Sequence, residues 1–443
     1  MEPGETSGHF IIPRPEHPIS RKMIDEEALK VLYRLHHHGF VAYLVGGSVR
    51  DLLLGRVPKD FDVATSAHPH EINALFRNSR TIGRRFRLAH VFFKGGKVIE
   101  VSTFRSRSEF EETEAEDGSI IRTDSFGTPE EDALRRDITI NGLFYNIADF
   151  SIIDYIGGIA DLKRQVIRTI GDAVERFKQD PVRMIRVIRH TARTGFSIEE
   201  ATYQAIVQYR DEIRKCPSSR LRDEFLRELK EGAARPALSL MLETGLLFSL
   251  FPDLERVFGS RNPFKEKHKK LFLSLFDLAD QLTKMGKALP ESILAALFLI
   301  PYLRVITQEH PFLPERERHL YQVENARWAL HQVFDRFSLP RRTREMALQI
   351  LAAQFYLKKA IERGGIPKRL RNKRYFTEAV LFFGIEAEAQ GGEVPGFLRC
   401  AVPYDLLPWW PKEVRKRRRR FRRKPPRHES MSNVKVQDHE LHE

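Results

Sequence analysis

The sequence predicts an α+β fold, in which a mixed sheet with short helices precedes a long region of helices alone. Between about residues 40 and 155, β-branched and aromatic runs are separated by Gly-containing turns, a pattern typical of strands. From about Ala234 onward, apolar residues recur with the 3.6-residue period of helices. After Pro411 the composition changes abruptly to a basic run, which predicts a disordered tail.

Length and charge limit the possible classes of protein. A chain of 443 residues is too long for one ordinary core and predicts two to four units. Residues 412–427 hold eleven Lys or Arg and one Glu, which accounts for +10 of the net charge of +14. A polyanion such as RNA is therefore the expected partner of the tail. Its candidate contacts are Arg417, Arg418, Arg419, Arg420, Arg422 and Arg423.

Several features argue against a secreted or membrane protein. Cys216 and Cys400 are the two cysteines, so a disulfide framework is not expected. The acidic, polar start of the chain does not resemble a secretory signal. The longest apolar run, Ile293 to Ile300, ends at Pro301 and is too short to span a bilayer. We therefore expect a cytoplasmic protein without a membrane span. No internal repeat is visible, and no sequence signal indicates an oligomeric state.

The first elements follow a Pro-rich, irregular leader. Residues 25–38 form an amphipathic pattern that ends at Gly39, which predicts a helix. Its apolar face consists of Ala28, Val31, Leu32 and Leu35. Residues 40–45 form the first predicted strand, and residues 49–54 a short helix. Between them, the backbone N–H groups of Gly46 and Gly47 and the hydroxyl of Ser48 provide a candidate phosphate cradle.

Two carboxylates follow within the next predicted strand. Asp60 and Asp62 flank Phe61, and a strand's period of two places them on one face, about 6.6 Å apart at Cα. Two anions held this close repel each other unless a cation lies between them. Carboxylates that also leave room for substrate phosphates suit Mg²⁺. The phosphate cradle and the pair of metal-binding carboxylates together predict nucleotidyl transfer.

Further strands flank this stretch. Residues 80–93 and 98–104 are predicted as strands joined by a Gly-Gly turn, with a preceding helix at residues 69–76. Glu100 in the second strand is either a third metal carboxylate or a solvent-facing residue. Residues 105–127 are polar and acidic, which predicts a mobile loop near the site. Thr128 to Glu131 form a capping box that begins another helix, and residues 143–147 and 152–155 form a predicted hairpin.

The next region combines a helix cap with a basic stripe. Asp180 and Pro181 are an ideal N-cap and first helical residue, so helix capping alone explains their presence. Arg183, Arg186 and Arg189 then recur at every third position. A further helix at residues 219–228 places Arg220 and Glu224 at the spacing of an ion pair.

Two of these motifs resemble a known family. GGSVRDLLLG followed by KDFDVAT resembles the class II nucleotidyltransferase signature, which bacterial poly(A) polymerases share with CCA-adding tRNA nucleotidyltransferases. RRDITIN, residues 135–141, resembles the family's second signature. The resemblance implies a polymerase-beta-like nucleotidyltransferase palm followed by an all-α neck and body. The leader IIPRPEHPISRK and the segment GRRFRLAHV resemble the poly(A) polymerase branch, although Thr81 departs from the aliphatic residue usual there.

The resemblance also implies roles for individual residues. Asp137 becomes a catalytic acid that helps Asp60 and Asp62 to hold two Mg²⁺ ions about 3.5–4 Å apart. The expected triphosphate contacts are Gly46, Gly47, Ser48, Arg50 and Arg136, and the expected nucleotide contacts are Asp180, Arg183 and Arg186. Gln179 stands where the family usually has Glu, so the nucleotide-reading motif departs from its pattern.

The predicted organisation has five parts: a leader (1–24), a nucleotidyltransferase domain (25–165), a helical neck (166–232), an all-α RNA-binding body (233–407) and the tail (408–443). The expected activity is template-independent poly(A) polymerase, adding AMP from ATP to RNA 3′ ends and releasing pyrophosphate. The alternatives are a tRNA nucleotidyltransferase that adds all or part of CCA, and an RNA-binding protein with a degenerate core. The expected partners are RNA 3′ ends, ATP and mRNA-decay proteins.

Overall fold

A computed structural model describes residues 9–83, 87–114, 120–308, 312–335, 337–395 and 398. Its strands fall in the first half of the chain and helices fill the rest, which confirms the predicted α+β class. The strands are β1 (Phe10–Ile12), β2 (Ala42–Val45), β3 (Asp62–Thr65), β4 (Ser79–Ile82), β5 (Leu88–Phe92), β6 (Val98–Thr103), β7 (Arg105–Glu114), β8 (Ile120–Phe126), β9 (Leu143–Asn146), β10 (Ile152–Asp154), β11 (Val166–Ile167) and β12 (Ser197–Ile198).

Eight strands form one mixed sheet in the order β1-β10-β9-β2-β3-β6-β5-β4. Every neighbouring pair is antiparallel except β3 and β6, which run parallel. The predicted strand at residues 80–93 is in fact two strands, β4 and β5. The leader contributes β1, which pairs with β10, so the predicted boundary at residue 24 separates a strand from its own sheet.

One face of this sheet is covered by helices of the N-terminal half, namely α1 (Glu26–His37), α2 (Gly47–Leu53), α3 (Pro69–Leu75) and α5 (Gly158–Arg164). Helix α4 (Pro129–Arg135) packs against the other face through Ala133. Asp25 caps α1, and Ala28, Val31, Leu32 and Leu35 are buried, as predicted. They join a core that includes Leu44, Val63 and Val101. The opposite face carries a smaller apolar cluster around Ala64 and Phe144, and this more open face also bears Asp62.

The segment expected to be a mobile loop is instead an antiparallel hairpin. Strands β7 and β8 pair from Arg105 opposite Phe126 to Glu114 opposite Ile120, with a register shift after Arg105. The polar, acidic composition of residues 105–127 misled the prediction, because it lacks the apolar alternation that usually identifies a strand. Thr128 then caps α4, and the side chain of Glu131 completes the predicted capping box.

The remaining helices form the neck and the body. They are α6 (Ala173–Gln179), α7 (Val182–Thr194), α8 (Glu200–Tyr209), α9 (Ser218–Lys230), α10 (Ala234–Glu243), α11 (Leu246–Leu250), α12 (Glu255–Phe258), α13 (Lys265–Lys284), α14 (Glu291–Gln308), α15 (Glu315–Asp335), α16 (Arg341–Glu362), α17 (Lys368–Arg371) and α18 (Phe376–Ala389). One continuous apolar cluster runs from Ile138 through both regions to Leu398, so neck and body share a core across the predicted boundary at residue 232.

Helix α14 extends beyond the apolar run Ile293 to Ile300. It continues through Pro301 to Gln308. Among the described residues it is the one helix long and apolar enough, by length and composition, to cross a membrane. In this fold, 72% of the span is buried, and it packs against α13, α15 and α16 as a central helix of the body.

Candidate active site

A cavity of about 810 Å³ opens where the sheet meets the neck helices. One wall comes from β3 and β6, where Asp62 and Glu100 are direct neighbours in the parallel register. We call these two residues the carboxylate wall. The Oε1 atom of Glu100 lies 3.5 Å from Nε2 of His90 on β5. Glu100 is therefore a second carboxylate beside Asp62, as the metal-site alternative for this residue requires.

Asp62 sits in an unfavourable electrostatic environment. Burial, followed by the charges of Glu100 and Asp60, raises the pKa of Asp62 to about 6, although Arg136 opposes the shift. An ionised carboxylate here lacks sufficient positive charge nearby. The carboxylate wall therefore has the donor chemistry and the unbalanced negative charge that a divalent cation would relieve.

Asp60 takes a different position from the one predicted. Strand β3 begins at Asp62, so Asp60 precedes it as an exposed residue outside the regular alternation. Its carboxylate is still close enough to raise the pKa of Asp62. Within the described part of the chain, no three His, Cys, Asp or Glu side chains are grouped closely enough to hold a metal by themselves. A cation at Asp62 would thus need ligands from water or substrate.

The Gly-Gly turn forms the next part of the cavity. Gly46 has a φ of +74°, and a Cβ at this position would lie 3.2 Å from Nη1 of Arg136. Gly46 and Gly47 both line the cavity, as predicted. The turn therefore needs glycine for its left-handed backbone and for the close approach of Arg136.

Ser48 and Arg50 do not reach the cavity, contrary to the prediction. The buried hydroxyl of Ser48 donates to the carbonyl oxygen of Val45 at 2.9 Å. The Arg50 side chain is 4% exposed; its guanidinium donates to Asp51 at 2.8 Å and to Oδ1 of Asn141 at 2.7 Å. Both side chains stabilise the turn on the side away from the cavity, because their polar groups form these internal hydrogen bonds.

Arg136 faces the cavity at the end of α4. Its Nη2 donates to Oδ2 of Asp132 at 2.8 Å, and its guanidinium lies 5.2 Å from the centre of the Phe144 ring. The Nε atom is buried without a hydrogen-bond partner in the described residues. Arg136 is thus a fixed cation opposite Gly46, and its contact with a triphosphate stays a prediction.

Asp137 lines the same cavity but is neutralised by the neck. Its Oδ2 accepts a hydrogen bond from Nε of Arg186 at 2.7 Å. Burial alone would raise the pKa of Asp137, but the charge of Arg186 outweighs it and holds the pKa well below its usual range. Asp137 is not among the groups that shift Asp62. The predicted third metal acid therefore anchors an arginine instead of extending the carboxylate wall.

Asp180, Arg183, Arg186, Arg220 and Glu224 bring the neck to the cavity, and we call them the arginine wall. Asp180 is not the N-cap of α7, because Pro181 occupies that position and α7 begins at Val182. Its Oδ2 instead accepts from Nη2 of Arg220 at 2.6 Å. Oδ1 of Asp180 and Nε of Arg183 are buried without partners in the described residues, so both retain hydrogen-bonding capacity for a nucleotide.

The predicted Arg220–Glu224 ion pair is wrong. Arg220 binds Asp180, while Glu224 lies 2.6 Å from Nη1 of Arg189. Arg189 is almost fully buried and also pairs with Glu228, so it does not continue the basic stripe into the cavity. The observed ion pairs join residues up to 40 positions apart in sequence, so the spacing of charges along one helix does not predict them.

Arg176 is a residue that the sequence reasoning missed. Its Nη2 donates to the carbonyl oxygens of Arg135 and Arg136, both at 2.8 Å. Arg183 donates to the same two carbonyls at 3.1 Å. Burial, with the neighbouring charge of Arg183, lowers the pKa of Arg176 to about 10. The two arginines fix the end of α4, and hence Arg136, to the neck.

Two family models match this chain. Residues 42–168 match the Poly A polymerase head domain, and residues 195–258 match the probable RNA and SrmB-binding site of polymerase A. Poly(A) polymerase I of Escherichia coli O6:H1 is 37% identical over 410 residues, which covers 90% of this chain and 84% of that protein. This chain belongs to the poly(A) polymerase I family.

Other members and relatives agree with this assignment. Poly(A) polymerase I of Salmonella typhi is 43% identical over 301 residues, and the match spans 64% of that protein's length. The CCA-adding enzyme of Lactobacillus helveticus is 38% identical over half of this chain. The Bacillus stearothermophilus CCA-adding enzyme in complex with CTP has a TM-score of 0.58 at 28% identity, covering 85% of this chain and 81% of that one. The predicted class II nucleotidyltransferase relationship is confirmed.

Two groups of predicted residues lie outside the described part of this poly(A) polymerase I family member. Arg84, Arg85 and Phe86 of the GRRFRLAHV segment are one group. The arginines of the basic tail, Arg417 to Arg423, are the other.

Proposed function

We propose that this chain adds AMP from ATP to RNA 3′ ends without a template and releases pyrophosphate. The observation that carries this proposal is the pairing of two unlike walls in one cavity. The carboxylate wall has excess negative charge around Asp62. The opposite side presents Arg136, Arg183 and Arg186. A triphosphate that spans the cavity meets cations on one side, and its reacting phosphate lies towards the carboxylates on the other.

Mg²⁺ fits the carboxylate wall. Asp62 and Glu100 offer the oxygen ligands that this ion prefers, and their mutual repulsion is the feature a cation relieves. When bound, Mg²⁺ supplies Lewis-acid activation of the 3′-hydroxyl and neutralisation of phosphate charge. Asp60, just before β3, is positioned to assist as a further oxygen ligand.

The chain's own residues then orient the substrates. Gly46 and Gly47 let phosphate approach the backbone closely, and Arg136 beside them neutralises its charge. Asp180 and Arg183 offer the acceptor and the donor that a nucleobase edge needs. Arg186 is held in position by its 2.7 Å hydrogen bond to Asp137. Positioning and charge neutralisation account for the rate, as in other phosphoryl transfers.

RNA is the proposed acceptor and ATP the proposed donor. The poly(A) polymerase I proteins of Escherichia coli O6:H1 and Haemophilus influenzae, which align with 90% of this chain, support this choice over tRNA. The basic run at residues 412–427 supplies charge for gripping RNA of any sequence. We further propose that the chain acts in the cytoplasm together with mRNA-decay proteins.

CCA addition is the second candidate, because the CCA-adding enzyme of Lactobacillus helveticus is 38% identical over half of this chain and that of Bacillus stearothermophilus has a similar fold. Labelled ATP and CTP, each offered with an oligo(A) primer and with a tRNA lacking its CCA end, separate the two. Long A-tails on oligo(A) are the expected result. Addition of one to three nucleotides to the tRNA alone would reject poly(A) synthesis, and no incorporation with either primer in the presence of Mg²⁺ would reject both.

A further inference from the structure

A second cavity, of about 390 Å³, lies in the body between α14, α15, α16 and α18. It is outside both segments matched by the family models. Its apolar surface comes from residues such as Leu303, Leu351 and Phe382, and its polar surface from amides, cations and His319. A volume of this size, with a few polar groups on an apolar base, is typical of a small-ligand site. We call it the body cavity.

Gln354 carries an unsatisfied acceptor in this cavity. Its Nε2 donates to the carbonyl oxygens of Ile350 at 2.8 Å and Ala379 at 3.2 Å. Carbonyl oxygens only accept, so the amide nitrogen must face them and Oε1 must face away. This Oε1 is buried and has no hydrogen-bond partner within the described ranges. A buried acceptor without a donor is unfavourable, and a ligand N–H group would remove the penalty.

The charges around the cavity favour an anionic ligand. Arg304 pairs with Glu386 at 2.7 Å, so these two charges compensate each other. Lys358 is exposed at the rim and has no ion pair among the residues that the structure describes. Burial, followed by the charge of Lys358, lowers the pKa of His319, so the charged form of this imidazole is disfavoured. The remaining net charge is the ammonium of Lys358, which suits a phosphate.

Aromatic rings adjoin the same rim. His319 stacks on Phe355, with ring centres 4.5 Å apart and planes 13° apart. Tyr356 contacts both rings edge-on and is 54% exposed. Exposed rings next to unpaired cations are the usual means by which proteins hold single-stranded nucleic acid without a fixed sequence.

We propose that the body cavity binds an adenine nucleotide of the RNA tail, upstream of the 3′ end in the catalytic cavity. The 6-amino group of adenine donates to Oε1 of Gln354, and the phosphate meets Lys358. Uracil presents an acceptor at the corresponding edge, as thymine does, and would leave Gln354 unsatisfied. Free AMP has the same chemistry, so the source of the nucleotide must be tested. This inference rests on the proposed function, because poly(A) is taken as the product.

Photo-cross-linking of the full chain tests where the nucleotide binds. An oligo(A) with 8-azidoadenosine at an internal position is expected to label peptides of α14 to α18. The same oligonucleotide with the probe at its 3′ end is expected to label the catalytic cavity. Absence of internal-probe labelling in α14 to α18 would overturn the proposal. Labelling there by 8-azido-AMP as strong as that by the internal probe would overturn the assignment to the tail.

Binding of labelled oligonucleotides, followed by fluorescence anisotropy, tests the recognition. Lys358→Ala, an exposed substitution, is expected to weaken oligo(A) binding about fivefold. Lys368→Ala, an exposed lysine outside the cavity, is the matched control and should change nothing. Gln354→Leu should abolish the preference for oligo(A) over oligo(U), with thermal melting confirming a folded protein. Equal losses on both oligonucleotides would refute adenine recognition, and unchanged binding would refute the site.

The two proposals can fail separately. Lys358→Ala is expected to leave AMP addition to a short primer unchanged, because Lys358 does not line the catalytic cavity. If wild-type protein adds no AMP to any RNA, the proposed function is rejected. In that case, labelling of the body cavity by 8-azido-AMP would show that its ligand is a free nucleotide and not the RNA tail. If wild type adds AMP but cross-links and anisotropy show no site in α14 to α18, the inference alone is rejected.

Discussion

The two walls of the catalytic cavity differ in how well their charges are balanced. On the carboxylate wall, Asp62 lies between like charges and its pKa is raised to about 6. Next to the arginine wall, Asp137 is bonded to Arg186, a member of that wall, and the pKa of Asp137 is held well below the usual range. Burial raises the pKa of both aspartates, so burial alone does not explain the difference. The distinguishing factor is whether the protein supplies the counter-charge itself or leaves it to a ligand.

This contrast distinguishes a carboxylate that binds a ligand from a carboxylate that stabilises the fold. A carboxylate without a partner weakens the folded state and strengthens the binding of a cation. A carboxylate with a bonded arginine stabilises the fold and holds that arginine in place. Substitutions on the two walls should therefore affect activity and stability in different proportions.

The largest expected effect comes from Asp62→Asn. Loss of the central metal-ligand carboxylate should lower AMP incorporation by about 10³-fold. Stability should be unchanged or slightly higher, because ionisation of Asp62 lowers stability as the pH rises from 3.8 to about 6 and the variant cannot ionise. Incorporation of labelled ATP and thermal melting measure the two quantities.

Asp223→Asn, which removes an exposed aspartate on α9, is the control and should match wild type in both assays. An active Asp62→Asn variant with unaltered metal dependence would contradict the proposed role of the carboxylate wall.

Asp137→Asn should have the next largest effect, and the effect should include stability. It leaves Arg186 with only the more distant carboxylate of Glu224, and breaking such a partly buried pair is expected to lower the free energy of unfolding by about 2–3 kcal/mol. Urea denaturation followed by circular dichroism measures the change. If Asp137→Asn and Asp62→Asn unfold at the same urea concentration, the two walls do not differ in how their carboxylates affect stability.

The third prediction concerns pH and Mg²⁺. Asp62 binds a cation as the carboxylate, and protonation competes with the metal below a pKa of about 6. The Mg²⁺ concentration for half-maximal activity should thus rise about tenfold per pH unit below this value and flatten above it. Glu100→Gln removes a like charge and should move the inflection to lower pH. If the inflection occurs at the same pH in Glu100→Gln as in wild type, Glu100 is not a neighbour of the metal ligand Asp62.

Arg220→Ala should have the smallest effect. Without the 2.6 Å bond from Arg220, Asp180 is free to turn away from the nucleotide. We expect the KM for ATP to rise about five-fold, with little change in kcat, since the loss is that of one hydrogen bond to a charged group. Steady-state kinetics with ATP and CTP measure this. Arg222→Ala, two residues along the same helix, provides the comparison, and an equal rise in KM there would remove the special role of Arg220.

Local signals in the sequence predicted much of the framework. The α1 face, the capping box at Thr128 and the hairpin of β9 and β10 follow from periodicity and capping chemistry within a few residues. The sequence predicted Asp62 and Glu100 on neighbouring strands, but not the register that makes them direct neighbours. The chemistry of the carboxylate wall was accessible because its residues occur in short motifs.

The partners of the arginine wall were not accessible in this way. Asp137 and Arg186 are 49 positions apart, and Arg50 and Asn141 are 91 apart. The spacing of charges along one helix suggested an Arg220–Glu224 pair, but tertiary contacts gave both residues other partners. The inward orientation of Ser48 likewise depends on the backbone turn around it, which residue type alone does not determine.

The edge position of β1 has a consequence for synthesis of the chain. This strand pairs with β10, whose residues 152–154 are translated long after residues 10–12. At about 5–20 residues per second, the first strand leaves the ribosome roughly 7–28 s before its partner exists. Until then its apolar side chains have no sheet to join. The N-terminal segment is therefore the last strand to dock on this sheet during translation, although it is the first to be made.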